Sequence, residues 1–207
     1  MHFSPVDHPG MKPPGFRHSL YNALVVPRPI GWISTISADG VVNLAPYSFS
    51  NMVAGDPPAF MYCANGEHGE GGPKDSLHNI GEVPEFVFNL CSYELREQMN
   101  ATSATSARSV DEMAAAGLTA APAVRVRPPR VAAAPLALEC EVVRVVPLPS
   151  SEMTRNTMVI GRVVEVHIDD AVIVDGIVDV RRIRPLARLG YQDYAVIDEP
   201  FSIIRPA

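Results

Sequence analysis

Apolar and small polar side chains alternate over residues 31–37, break at Asp39-Gly40, and alternate again over 41–45. A period of two on both sides of Asp-Gly predicts a β-hairpin, since that pair accepts the left-handed backbone a tight turn needs. Strand patterns also cover 22–26, 59–64 and 85–91, followed by longer Val- and Ile-rich runs at 136–146, 157–168 and 171–174. Long β-branched runs separated by turn residues predict a mainly β chain folded as a closed or partly closed antiparallel barrel. Three short helices are expected. One covers 76–80. Another covers 92–99, with Ser92 as its cap. The third covers 113–116, with Ser109 and Glu112 as a capping box and Gly117 as its stop. Residues 92–135 carry less strand pattern and read as an excursion from the barrel. Residues 1–20, rich in Pro and Gly, read as an irregular arm before one domain over 21–207.

Composition narrows the partners more than the fold. Hydrophobic residues make up 47% of the 207 and charged residues 19%, which supports a packed core. A net charge of −6 argues against a nucleic-acid partner, because phosphate backbones need a basic face. No apolar run approaches the roughly 18 residues of a membrane span, and the first residues lack the apolar stretch of a secretory signal. Cys63, Cys91 and Cys140 are far apart and match no zinc spacing, so buried free thiols in a cytoplasmic protein are expected, and no metal.

Candidate chemistry concentrates in two places. In the glycine-rich stretch 66–76, Gly72 and Pro73 stand before Lys74, so the register of a nucleotide-hydrolysing P-loop fails. A simpler phosphate site survives: Lys74 supplies a cation and Ser76 a hydroxyl at a helix start, where free N–H groups and the helix dipole favour anions. Asp75 opposes this unless it caps the helix or pairs with Lys74. The second place is 45–51, where Ser48, Ser50 and Asn51 crowd the end of a strand. They either satisfy their own backbone or line a planar polar ligand, and composition alone does not choose. No GxGxxG, HExxH or GxSxG motif is present. His167 shares a strand face with Val163 and Glu165.

Taken in order, several segments resemble the flavin reductase-like family, flavoredoxins included. They are PRPIGWISTISADGVVNLAPYSFSN at 27–51, DPP at 56–58, PKDSLHNI at 73–80, EFVFNL at 85–90, MNATS at 99–103, LEC at 138–140, GRVVEVHIDD at 161–170 and RPLARLGYQDYA at 184–195. The resemblance implies a Greek-key, antiparallel split β-barrel binding FMN at the interface of a homodimer. It places Trp32, Ser34, Thr35, Ser48, Phe49, Ser50 and Asn51 along the ring and ribityl chain. Lys74, Asp75 and Ser76 fall at the phosphate, with Arg28 as a second cation near that end. Gly190, Tyr194 and His167 fall on the substrate side. The implied reaction passes hydride from NADH or NADPH to flavin N5, and on to a free flavin, a partner monooxygenase or a redox protein, with no catalytic side chain required. A flavoredoxin-type carrier without efficient nicotinamide oxidation, or a binding barrel without redox chemistry, are the alternatives. Three positions depart from the family pattern: Ser76 where threonine is common, Ser50 where a bulky apolar residue is common, and Tyr191 where a second glycine follows Gly190.

Overall fold

The Asp39-Gly40 turn forms as the pattern requires: Gly40 has φ +90° and the Ser37 amide donates to the Val41 carbonyl at 3.0 Å. The structure, a computed structural model, describes residues 2–6, 12–151 and 154–206. It begins with α1 (Tyr21–Leu24), β1 (Arg28–Pro29), β2 (Gly31–Ile36), β3 (Val42–Tyr47), β4 (Ser50–Gly55) and β5 (Pro58–Asn65). Then come α2 (Asp75–Glu82), β6 (Glu85–Leu90), α3 (Arg96–Ala101), α4 (Glu112–Ala115), β7 (Ala120–Ala121) and β8 (Arg130–Val131). The last part holds β9 (Leu136–Pro147), β10 (Asn156–Ile168), β11 (Ile173–Val174), β12 (Ile177–Val178), α5 (Val180–Ile183), β13 (Leu186–Arg188) and β14 (Tyr194–Val196).

Seven strands form one antiparallel sheet in the order β3-β2-β6-β9-β10-β5-β4. Its two outermost strands, β3 and β4, are separated in sequence only by Ser48 and Phe49. Three peptide steps reach at most about 11 Å, so the sheet must curl until its edges approach. The edges share no ladder, which leaves a barrel with an open seam at this bend. Ile33, Phe60, Tyr62, Phe86, Phe88 and Val159 fill the interior. Gly161 is required there: a Cβ would lie 2.5 Å from the Phe86 ring. Ile80 of α2 closes one end, and the Asn79 amide donates to the Thr35 hydroxyl at 3.0 Å. Residues 92–135 pack outside β2 and β3, burying Trp32, Leu44, Met99, Met113 and Val131 in a second core. Each fully buried large side chain contributes about 1.5–3 kcal/mol.

Several expectations need correction. Residues 22–26 are not a strand: α1 turns there because the Arg28 guanidinium gathers the carbonyls of Asn22 and Val25, which an extended chain would hold apart. Residues 50–55, assigned no strand from the sequence, are an edge strand whose side chains are exposed after Ser50, so no alternation marks it. Asp111, not Ser109, caps α4 by accepting from the Ala114 amide at 2.9 Å. The Glu112 carboxylate turns instead to the Asn43 amide at 2.7 Å and the Leu44 N–H at 3.0 Å. In 171–174 only the last two residues are strand, because Asp169 caps a 3₁₀ turn before them. Cys91 and Cys140 are buried free thiols, whereas Cys63 is half-buried. Of the arm over 1–20, residues 1 and 7–11 lie outside the described residues, and the rest has no helix or strand. No helix among the described residues is long and apolar enough to cross a membrane.

Candidate functional site

The two polar segments singled out in the sequence meet. Tyr47, the last residue of β3, shares a hydrogen bond of 2.6 Å with Ser76 in the first turn of α2. Burial pushes the Tyr47 phenol up to about 12, so it remains a neutral hydroxyl that ties the strand end to the helix start. The Tyr62 ring lies against it at 5.1 Å.

At the start of α2, the amides of Asp75 and Ser76 have no carbonyl partner within the helix. Asp75 does not pair with Lys74. Its carboxylate is held by Arg108 and lies 3.2 Å from His68 Nε2. Arg108 also donates to the carbonyls of Gly71 and Pro73, each at 2.9 Å, so the glycine-rich loop and the helix start are fixed together. The local negative charge is therefore compensated, and the Lys74 ammonium has no ion pair among the described residues. Ser76 is fully buried and its hydroxyl is committed to Tyr47, so an anion here would meet Lys74 and backbone N–H groups rather than that side chain.

The bend at Ser48–Phe49 lies beside Arg28. Arg28 Nε donates to Ser48 Oγ at 3.4 Å, and its guanidinium lies over the Phe49 ring at 5.3 Å. Ser48 opens onto a cavity of about 510 Å³ whose wall includes Ile30, Pro46, Asn100, Arg188 and Tyr194. A second cavity of about 320 Å³ adjoins it, sharing Met99, Asn100 and Tyr194. Neither Asp, His nor Cys lines the larger one, so its polar surface is made of hydroxyls, amides and a guanidinium.

Other expected residues are placed differently. Trp32, Ser34 and Thr35 are fully buried and bonded to Thr102, the Pro129 carbonyl and Asn43 respectively. Trp32 and Ser34 serve the second core, Thr35 joins β2 to α2 through Asn79, and none of the three lines the cavity. Ser50 is buried too. Its hydroxyl donates to the Tyr47 carbonyl at 3.0 Å, and it packs so close to Gly31 that a Cβ there would lie 2.9 Å away. A bulky side chain at 50 would collide with β2. Asn51 is exposed on the edge strand. Gly190 is buried against α1, where a Cβ would lie 2.9 Å from that of Ala23, so its smallness serves packing. Tyr191 has φ +52°, which is why glycine suits that position.

His167 lies apart from both cavities. Its Nε2 lies 2.5 Å from Glu139 Oε1. Glu139, fully buried, also accepts from the amides of Val124, Arg125 and Val126 at 2.8, 2.6 and 3.2 Å. Tyr194, by contrast, lines both cavities, and its hydroxyl accepts from Arg188. Sequence reasoning missed Arg108 because its partner Asp75 is 33 residues away along the chain, and gave His68 no role although it lies in the same glycine-rich stretch as Asp75. Asn100 stood in the MNATS segment but was given no role.

The flavin reductase-like domain family matches residues 23–186 of the chain. An uncharacterized protein of Aquifex aeolicus is 34% identical over 178 residues, covering 86% of this chain and 88% of its own. Among solved structures, nitrilotriacetate monooxygenase component B from Bacillus cereus is similar at TM-score 0.87 and 27% identity, with 98% of each chain covered. A Shewanella frigidimarina structure described by its split barrel domain reaches TM-score 0.79 at 24% identity, with 100% of both chains covered. The mainly β, antiparallel split barrel expected from the sequence is thus the fold observed.

Proposed function

The chain belongs to the flavin reductase-like domain family, and from that membership we propose an FMN-dependent oxidoreductase. In this reading it draws hydride from NADH or NADPH and passes reducing equivalents to a free flavin, a partner monooxygenase or another redox protein. The observation that carries it is the polar bend of Ser48–Phe49 opening on a 510 Å³ cavity, joined through Tyr47 and Ser76 to a helix start with an unpaired lysine. Likeness to a monooxygenase component B over nearly its whole length favours an oxygenase as the acceptor.

The residues present fit the group. Lys74 and the first amides of α2 would hold the phosphate, while Arg108 and His68 keep Asp75 from repelling it. Ser48, Asn100 and Ser103 present hydrogen-bonding side chains to the cavity, and Ile30, Pro46 and Met99 supply its apolar wall and exclude water. Bound FMN would supply the redox chemistry itself, accepting hydride at N5 and releasing electrons to the acceptor. The protein's task is then orientation and polarity rather than proton transfer, which accords with a lining free of carboxylate, imidazole and thiol. A cytoplasmic homodimer completes the reading, with the open seam of the barrel covered by the second copy.

The decisive measurement adds NADH to the protein mixed with FMN under anaerobic conditions. Rapid bleaching of the visible flavin band over many turnovers is expected. Flavin that stays bound and oxidised would replace the reductase with an electron carrier, and the absence of a yellow complex would remove FMN.

A further inference from the structure

Arg28 and Arg188 are register partners in the antiparallel pair β1–β13, so their side chains leave the same face. Arg28 is only 7% exposed. Its Nη1 serves the carbonyls of Asn22, Val25 and Leu189, and its Nε serves Ser48, but Nη2 has no hydrogen-bond partner among the described residues. Arg188 donates through Nη1 to the Tyr194 hydroxyl and through Nη2 to the Tyr191 carbonyl, and its Nε has no partner among the described residues. Neither guanidinium meets a carboxylate; the ion pairs of the described residues fall on other cations. In a chain with six more acidic than basic residues, that is not a shortage of acids. Burial, and then the field of Arg188, push the Arg28 guanidinium below its ordinary value. Two like charges held together in a poorly solvated place are costly until an anion joins them.

We propose that Arg28 and Arg188, beside Ser48, form a second anion subsite, separate from the Lys74 station, which takes the diphosphate of the reducing dinucleotide. The proposal rests on the flavin reductase reading. One phosphate monoester requires one cationic station, and the start of α2 provides it. Arg188, the register partner of Arg28, instead lines the larger cavity and bonds Tyr194, the wall shared by both cavities, where a second ligand would lie beside the first. This moves Arg28 from the cofactor's phosphate to the co-substrate.

ADP-ribose tests this without turnover, because it carries the diphosphate and lacks the nicotinamide. In calorimetric titrations of the FMN-loaded protein, Arg188→Gln is expected to weaken ADP-ribose by about tenfold or more, with Arg188→Lys intermediate. FMN affinity, read by fluorescence quenching, should fall far less than ADP-ribose affinity, although Arg188 also lines the flavin cavity. Unchanged ADP-ribose affinity in Arg188→Gln, or no ADP-ribose binding to the unsubstituted protein, overturns the subsite alone. An equal loss of FMN affinity overturns it by giving the arginines to the cofactor's phosphate. Failure of the unsubstituted protein to bind FMN removes the parent reading and the subsite with it.

Discussion

Arg108 has no place in the sequence motifs, yet it decides whether Lys74 can act. Its guanidinium and His68 absorb the Asp75 carboxylate, which otherwise would stand beside any phosphate at the start of α2. Lys74→Ala is expected to weaken FMN by about 1.5–3 kcal/mol, the range for a hydrogen bond to a charged group. Arg108→Ala should weaken FMN as well without touching it, and Asp75→Asn should restore most of that loss in the same background, a coupling that fluorescence titration of the double-mutant cycle reads directly. Affinities that simply add would detach Arg108 from the phosphate station. Ser76 teaches the same lesson from the other side. Its hydroxyl was legible as a donor, but only the fold shows it spent on Tyr47. Residue type announces what a side chain can bond; its partner depends on distant chain.

At the scale of elements, the long strands β9 and β10 were legible from their β-branched runs and the first hairpin from its Asp-Gly turn, although β2 is buried on both faces. The edge strand β4 was not, since almost every residue after Ser50 faces outward and no face is selected. Nor was α1, which owes its turn to Arg28 rather than to its own sequence. The clamp between β9, β10 and the loop at 124–126 was equally invisible: His167 on β10 bonds Glu139 on β9. Burial by itself would raise the Glu139 carboxyl, but His167 and three amides together hold it below its ordinary value. A folded value below the unfolded one contributes stability that is complete above about pH 4.3 and is lost as pH falls through the depressed folded value. Glu139→Gln is therefore expected to cost about 1.5–3 kcal/mol near neutrality, because three charge-assisted amide bonds weaken together. Urea unfolding of both proteins should show that difference shrinking as pH drops below about 4.3, while a constant difference would make the clamp a matter of shape rather than charge.

At the scale of the whole molecule, large apolar side chains lie exposed in several separate segments. Leu24 and Val25 are 64% and 72% exposed, Met52 and Val53 are exposed along β4, and Val143 and Val145 along β9. Phe201, Ile203 and Ile204 in the final segment exceed 80%. Apolar side chains clustered on an edge strand with an unpaired backbone mark an association surface rather than a finished exterior. That edge also begins at the Ser48–Phe49 bend, the lip of the larger cavity, so covering it and completing the flavin site would be one event. Light scattering should accordingly give twice the 22.4 kDa chain for the FMN-bound protein. Val53→Asp, which places a charge on the edge without touching the cavity, should shift the protein to a single-chain mass and weaken FMN in step, since a flavin bound against an open seam remains exposed to solvent. Sedimentation and quenching measured over the same concentration series separate the alternatives. If affinity holds while the dimer dissociates, each chain houses the flavin alone; if the dimer persists, the contact lies on another of the exposed apolar segments.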